Sequence, residues 1–166
     1  MISLKKQKGF TIVELLIVII IIGILATLVL VTYSGIQAKA RDSKRQTDVN
    51  AIDSHLEAFF AQYGFYPTLA DLDQTGAGNF TATFLKGLDP AALTSPDNGL
   101  VAASATNGGT WAYGFVATNP TTPSSCSNTT ATTITGGVPQ NNGCTAFTLT
   151  ADLESSTTPY VKNSLT

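Results

Sequence analysis

The stretch of sequence that decides the fold is residues 8–31, KGFTIVELLIVIIIIGILATLVLV. From Phe10 to Val31 it contains 22 residues, and Glu14 carries their only charge. A helix of that length spans roughly 30 Å, which is the thickness of the hydrocarbon core of a bilayer. The stretch therefore predicts a helix that can cross a membrane once, with a carboxylate near its start.

Two simpler interpretations of this apolar run remain open. A secretory signal peptide also follows basic residues, and Ala-Lys-Ala at 38–40 resembles a cleavage site, but the apolar core of such a signal is usually only about 7 to 15 residues long. A plain single-span anchor has the right length, and in it Glu14 would snorkel to the cytoplasmic interface. Basic residues flank the run on both sides, but Asp42 and Asp48 dilute the second cluster, and the chain beyond it is polar and carries both cysteines. We therefore expect the N-terminus in the cytoplasm.

The helix is expected to continue beyond the apolar run. No Gly or Pro occurs between Gly35 and Gly64, and apolar residues recur there at helical spacings of three and four: Val49, Ile52, Leu56, Phe59, Phe60 and Tyr63. Charged pairs at helical distances support it: Lys39 with Asp42, Asp42 with Arg45, and Lys44 with Asp48. The predicted helix runs from about Phe10 to Tyr63. Gly64 ends it, and Pro67 prevents its continuation.

Residues 64–166, here called the head, are predicted to form a small antiparallel sheet. WAYGFVAT at 111–118 places Trp111, Tyr113 and Phe115 on one face. In TAFTLTADLE at 145–154, polar residues alternate with Phe147, Leu149, Ala151 and Leu153. The apolar face of this sheet needs a cover, and the apolar stripe of the helix provides one. The predicted fold class is therefore α+β, with a long N-terminal helix packed against a small antiparallel sheet.

Charge is distributed unevenly along the chain. Seven of the nine Lys and Arg residues lie in the first 45 positions, whereas the head has only Lys86 and Lys162 against six acids. Because phosphate-gripping surfaces need clustered cations, direct nucleic-acid binding by the head is not expected. The two cysteines, Cys126 and Cys144, enclose 17 residues and can form a disulfide outside the cytoplasm. Two free thiols are the alternative.

Lysines followed by Gly9-Phe10-Thr11, then Glu14 and an apolar helix, resemble the class III signal and N-terminal helix of the type IV pilin family, which includes pseudopilins and competence pilins. The resemblance extends through the helix-exit segment YGFYPTLADL at 63–72 and fades in the head. It implies four parts: a leader peptide at 1–9, a transmembrane or filament-core helix at 10–31, an amphipathic continuation at 32–63, and the globular head at 64–166.

The resemblance also implies how the chain is processed and assembled. A membrane prepilin peptidase would cut between Gly9 and Phe10 and methylate the new amino group of Phe10. Glu14 would then attract the Phe10 amino group of a neighbouring subunit in a helical filament of identical chains, because a carboxylate within a spanning helix is costly and seeks a partner. The sequence contains no phosphate-loop motif, so a separate assembly ATPase and a platform protein are implied partners. The precursor is expected to span the inner membrane once, before assembly into an extracellular filament.

No catalytic residue, metal site or cofactor is expected, because the sequence shows no recognisable set of nucleophile, base and orienting group. His55 is the only histidine, and it is expected to pack at the boundary of the apolar stripe. DLDQTG at 71–76 faintly resembles a calcium loop, but its twelfth position is Ala82 rather than an acid. The Ser- and Thr-rich segment 118–135 is either an exposed loop or strand, or a glycosylated one.

The resemblance to the type IV pilin family implies a structural subunit of a surface filament that serves adhesion, twitching motility or DNA uptake. A pseudopilin of a type II secretion system is the first alternative. The second is a membrane-anchored or secreted extracellular binding domain, whose N-terminus is only an anchor or a signal.

Overall fold

The computed structural model describes residues 9–72, 80–97, 101–102, 106–107, 110–111, 113–122, 126–127 and 129–165. The chain divides into two compact units. The first comprises residues 1–38, and the second comprises residues 39–166. All of the predicted leader peptide except Gly9 lies outside the described residues.

The N-terminal helix, α1, runs from Ile12 to Tyr63 and contains 52 residues, so it begins two residues after the predicted start and ends at the predicted residue. In the first unit, the large apolar side chains between Ile12 and Leu30 for which burial is described are each at least 49% exposed. This part of α1 is long and apolar enough to cross a membrane. An apolar surface of this extent requires a cover such as lipid or other apolar helices.

Helix α1 ends where the sequence indicated. Gly64 adopts a φ of 77°, a left-handed conformation that costs a residue without a side chain little. Its backbone N–H donates to the carbonyl oxygen of Phe60 at 2.7 Å, which satisfies one of the last free carbonyls of the helix. Pro67 follows three residues later and prevents a further helical turn.

The second unit carries short helices and seven short strands among its described residues. The helices are α2 at Leu69–Leu72, α3 at Phe80–Phe84 and a 3-10 turn at Pro90–Leu93. The strands are β1 at Thr106–Asn107, β2 at Thr110–Trp111, β3 at Tyr113–Thr118, β4 at Ile134–Thr135, β5 at Val138–Pro139, β6 at Ala146–Ala151 and β7 at Tyr160–Asn163.

Strands β3, β6 and β7 form an antiparallel sheet in that order. Phe115 lies opposite Leu149, and Leu149 lies opposite Lys162. Two of these strands are the ones that the sequence patterns predicted, with two differences. Strand β3 begins at Tyr113, while Trp111 belongs to β2 in a separate two-stranded sheet, and β6 ends at Ala151 rather than continuing to residue 154. Strand β7 was not predicted. Of the residues expected on the apolar face of β3, Trp111 has a side chain outside the described part of the chain.

The core of the second unit lies between the sheet and the end of α1 that belongs to this unit. Four side chains of the predicted stripe are buried, Val49, Ile52, Leu56 and Phe59, while Phe60 and Tyr63 are partly buried against them. The sheet contributes the buried side chains Tyr113, Phe115, Ala117, Phe147, Leu149 and Ala151. The α+β arrangement expected from the sequence is therefore confirmed, and the stripe is the cover of the apolar sheet face.

Candidate assembly site

Thr11 and Glu14 form a reciprocal set of hydrogen bonds at the start of α1. The Thr11 backbone N–H and hydroxyl both donate to Oε2 of Glu14, at 2.9 and 2.7 Å. In return, the Glu14 backbone N–H donates to the Thr11 hydroxyl oxygen at 3.2 Å. This arrangement is a capping box, in which residues three apart satisfy backbone donors that have no partner within the helix. Glu14 thus starts the apolar helix as well as carrying its charge.

The two residues before this cap are exposed. Phe10 is 88% exposed. A Cβ built on Gly9 would meet no heavy atom of the described residues within 4 Å, apart from those of its own chain neighbours. The backbone between Gly9 and Phe10 is therefore accessible, with a residue that has no side chain on its N-terminal side.

Arg45 is the centre of a cluster of charges in the second unit. Its side chain is 1% exposed, and its guanidinium contacts the carboxylates of Asp42 at 2.7 Å, Glu154 at 2.7 Å and Asp97. Arg41 adds a two-point contact to Glu154, with nitrogen–oxygen distances of 2.8 and 2.5 Å. We refer to these five residues as the Arg45 network. It joins α1 to the connection between β6 and β7, because Glu154 lies in that connection.

Backbone groups of the same connection also bind α1. Asp42 accepts hydrogen bonds from the backbone amides of Glu154 and Ser155, both at 2.8 Å, and from the Ser155 hydroxyl. Burial alone would raise the pKa of Asp42, but these hydrogen bonds and the one from Arg45 outweigh burial and lower it. The hydrogen bond from Arg41, opposed by burial and aided by Arg45, lowers the pKa of Glu154 to about 2. Both carboxylates are therefore ionised at neutral pH.

A second polar contact joins α1 to the sheet. The Tyr113 hydroxyl donates to Oδ2 of Asp48 at 2.7 Å, and Lys44 contacts the same carboxylate at 2.8 Å. Burial, and then the carboxylate beside it, raise the pKa of Tyr113 well above its usual value. Tyr113 consequently keeps its proton and acts as a donor within the core.

Two of the three charged pairs expected along α1 are present, but their role differs from the expectation. Asp42 pairs with Arg45, and Lys44 pairs with Asp48. In the described part of the chain Asp42 has no ion pair with Lys39, because Arg45 and the β6–β7 connection supply the donors to its carboxylate. The pair of Asp42 and Arg45 is buried and reaches the head, so it is tertiary structure rather than support for an isolated helix.

The acid dependence of stability should reveal Glu154. A carboxyl group whose pKa is lowered on folding stabilises the folded state above its unfolded pKa, and this contribution is lost as pH falls through its folded pKa. For Glu154 the loss is therefore expected between pH 4.5 and about pH 2. We expect Glu154→Gln to destabilise the fragment 39–166 at neutral pH, and the difference from the unsubstituted fragment to shrink towards zero by pH 2. Urea unfolding at a series of pH values measures it, and a difference that does not change with pH would contradict the assignment.

The predicted disulfide between Cys126 and Cys144 is present. Cys144 is fully buried, and its carbonyl oxygen accepts a hydrogen bond from the Tyr66 backbone N–H at 2.8 Å. Asn142 donates from its side chain to the Tyr66 carbonyl oxygen at 3.0 Å. The bridged segment is therefore fastened to the segment that leaves α1.

Asp71 provides a further link between the same two segments. It is 5% exposed, and its carboxylate accepts hydrogen bonds from the backbone N–H and hydroxyl of both Thr68 and Thr132. All four donors are neutral. Two belong to the segment that leaves α1 and two to the bridged segment, so the carboxylate links these two segments. Asp71 thus has a structural task in holding the bridged segment, where the sequence suggested the first position of a faint calcium loop. Residues 73–76 of that motif lie outside the described part of the chain.

Loss of the disulfide is expected to destabilise the second unit by about 3 kcal/mol, because the bridge closes a loop of 17 residues and removes entropy from the unfolded chain. The test replaces Cys126 and Cys144 with Ser in the fragment 39–166 and compares melting temperatures. The variant should melt at a lower temperature under oxidising conditions and close to the unsubstituted fragment under reducing ones. Equal melting temperatures under oxidising conditions would show that the bridge contributes nothing.

Comparison with known proteins identifies the N-terminal segment. Residues 4–30 match the family model described as the prokaryotic N-terminal methylation motif. The chain is 38% identical over 64 residues to the type II secretion system core protein G of Dickeya chrysanthemi, an alignment that covers 39% of this chain and 42% of that protein. It is 36% identical over 81 residues to the type IV major pilin protein PilE of Neisseria gonorrhoeae, covering 49% of this chain and 46% of that one.

The chain belongs to the type IV pilin family. A longer alignment, 30% identical over 98 residues, relates it to the type II secretion system core protein G of Klebsiella pneumoniae and covers 59% of this chain and 66% of that protein. In the alignments with the first curated relatives, such as the Dickeya protein, the chain spans less than half of the relative's length. No solved structure matches it significantly.

The remaining residues singled out in the sequence of this pilin-family chain belong to the second unit. The His55 ring nitrogen Nδ1 is 2.8 Å from the Ala51 carbonyl oxygen, and the ring is partly buried. Since a carbonyl oxygen only accepts, Nδ1 carries the proton. Among the described residues, no group of three or more potential metal ligands comes together. Most described residues of the Ser- and Thr-rich segment 118–135 are exposed.

Two residues of these clusters were not predicted from the sequence. Thr11 was not assigned a role, although Thr-x-x-Glu immediately before an apolar run is the pattern of a capping box. Glu154 was assigned to the polar face of a strand. The sequence contains one indication of its role. Arg41 and Arg45 are four positions apart and precede the apolar stripe, so acids from elsewhere in the chain are needed to pair with them.

Proposed function

We propose that this chain is a structural subunit of a type IV pilus-like filament. The observation that carries the proposal is the capped carboxylate of Glu14 at the start of an exposed apolar helix, within the segment that matches the N-terminal methylation motif. A helix with this surface is stable in only two settings, lipid or a bundle of similar helices. A filament subunit would occupy both settings in turn, first lipid and then the helix bundle.

Processing would prepare the chain for this transfer. A prepilin peptidase would cut the accessible bond between Gly9 and Phe10 and methylate the amino group of Phe10. Before assembly the helix would span the inner membrane once. In the filament, Glu14 would pair with the Phe10 amino group of a neighbouring subunit, which gives an ionised carboxylate in an apolar setting the partner that it needs.

Assembly would depend on other proteins. Moving an apolar helix from lipid into a helix bundle yields little hydrophobic free energy, because lipid tails are already apolar. Work must therefore come from elsewhere, and we propose an assembly ATPase and a membrane platform protein as its source. The chain itself would be no enzyme and would need no cofactor or metal.

At the cell surface the filament would serve adhesion, twitching motility or DNA uptake. Any DNA would bind to another subunit rather than to this head, whose acids outnumber its cations. Tight binding of duplex DNA by the fragment 39–166 at physiological salt would contradict this part of the proposal.

A pseudopilin of a type II secretion system fits the same observations. It is favoured by the relatives named core protein G, one of which gives the longest of the three alignments above. The two functions differ in fibre length and location. Long fibres containing this chain that are sheared from cells support the pilin, whereas short fibres confined to the cell envelope support the pseudopilin.

The test of the proposal is mass spectrometry of the N-terminal peptide, recovered from sheared surface fractions and from membranes. We expect a peptide that begins at Phe10 and is heavier by one methylene, the mark of a single methylation. A chain that begins at Met1 and stays in the membrane would identify a plain anchor. A chain that begins at Arg41 in the medium would identify a secreted binding domain. Either of these results would overturn the proposal.

A further inference from the structure

The two oxygens of the Glu14 carboxylate are in different environments. Oε2 accepts both hydrogen bonds from Thr11. Oε1 accepts none from the residues that the structure describes. One oxygen is therefore held by the residue three positions earlier, while the other is available to a group from outside the chain segment.

This arrangement does not depend on the leader peptide. The N–H that Thr11 donates belongs to the peptide bond between Phe10 and Thr11, and the second donor is the Thr11 hydroxyl. Cleavage between Gly9 and Phe10 breaks neither. The cleavage creates a free amino group on Phe10, one residue before Thr11, so the cap and a new cation would exist together in the mature chain.

We propose that Thr11 is the positioning residue of Glu14: it holds Oε2, so that Oε1 is presented to the Phe10 ammonium group of the next subunit. The inference rests on the proposed function and adds a role that Glu14 cannot fill alone. A free glutamate side chain samples several rotamers, and ordering it on docking costs free energy that a fixed one does not lose. Hydrogen bonds to the ionised form are also stronger where water is excluded, as it would be between the packed apolar helices of a filament.

Two substitutions at Thr11 separate positioning from simple packing. Thr11→Val keeps the shape and removes the hydroxyl, which loses the contact at 2.7 Å and the return contact at 3.2 Å. Thr11→Ser keeps the hydroxyl and removes only a methyl group. If Thr11 acts through Glu14, the valine variant should assemble poorly and the serine variant normally.

The experiment measures how well each variant enters fibres that also contain the unsubstituted full-length chain. Both chains are produced together, and mass spectrometry gives the ratio of variant to unsubstituted chain in the fibres. This ratio is divided by the same ratio for cleaved and methylated chains in the membrane, so a difference in processing does not enter. Fibres are taken from sheared surface fractions and from the cell envelope, so the measurement applies to a pilus and to a pseudopilus.

We expect Thr11→Val to enter fibres several-fold less than the unsubstituted chain, Thr11→Ser to enter equally, and Thr11→Val with Glu14→Ala to enter no less than Glu14→Ala alone. Equal entry of Thr11→Val would overturn the inference, as would failure of that variant to be cleaved. A valine effect of the same size without Glu14 would also overturn it, because a merely structural role of Thr11 does not need the carboxylate. If the unsubstituted chain is not cut at Gly9 or forms no fibres, the proposed function itself fails.

Discussion

Glu14→Ala is expected to be cleaved between Gly9 and Phe10 but to yield fewer fibres by an order of magnitude or more, because loss of one partner leaves the other charge without its pair in an apolar setting. The alanine variant also loses the carboxylate oxygen that accepts hydrogen bonds from the Thr11 backbone N–H and hydroxyl, at 2.9 and 2.7 Å. Exposed apolar residues on either side of Glu14 offer no replacement. The measurement is the amount of this chain in sheared fibre fractions, relative to its cleaved form in membranes.

Glu14→Gln distinguishes the two consequences of that substitution. Glutamine keeps an oxygen that Thr11 can contact but carries no charge. If attraction of an amino group is what Glu14 contributes, the glutamine variant should lose nearly as many fibres as the alanine variant. Lys86→Ala, which removes an exposed charge of the head, should change fibre yield little. Normal fibre numbers in Glu14→Ala would exclude a pairing role for Glu14.

The long helix could be predicted because its signals are local. An apolar run of membrane length, an apolar stripe at spacings of three and four, and Gly64 followed by Pro67 each depend only on residues near one another in sequence. The two predicted strands were found for the same reason, since alternation of polar and apolar residues is read within six to eight positions. Strand β7 was not predicted because it is short and lies at an edge of the sheet. Its four residues alternate only between half-buried and exposed, which leaves a weak sequence pattern.

The Arg45 network could not be predicted because its contacts are distant in sequence. Glu154 reaches Arg45 across 109 positions. Alternation along β6 continues formally to residue 154 and assigns Glu154 to the polar face, but the strand ends at Ala151 and the chain turns towards α1. Only the fold determines where the chain turns. The same holds for Asp71, whose partner Thr132 is 61 positions away.

The cap of Glu14 lies between these two cases. Its geometry is local, and the pattern Thr-x-x-Glu was available in the sequence. A glutamate at this position is typical both of a charge at the edge of lipid and of a helix start. One residue can thus have two roles. In the capping box Glu14 uses Oε2, and in the proposed pairing with a neighbouring subunit it uses Oε1.

Arg45→Met is expected to destabilise the second unit by about 3 to 5 kcal/mol, the usual consequence of removing one member of a buried ion pair. Arg45 is fully buried, and methionine replaces only its apolar stem. Asp42, which is 4% exposed, would lose a charged partner at 2.7 Å, and Glu154 would lose another at the same distance. Among the residues that the structure describes, Asp42 would keep only hydrogen bonds from the β6–β7 connection, and Glu154 would keep only Arg41, so this connection would be held less firmly to α1.

Urea unfolding of the fragment 39–166 at neutral pH measures this loss, with Lys86→Met as the matched control. Lys86 is exposed, so the same change of residue type at that position should alter the free energy of unfolding by less than about 0.5 kcal/mol. The loss in Arg45→Met should also diminish as pH falls from 4.5 towards 2, because Glu154 becomes protonated over that range. If Arg45→Met were as stable as Lys86→Met, the buried cluster would be a consequence of packing rather than a support of the fold.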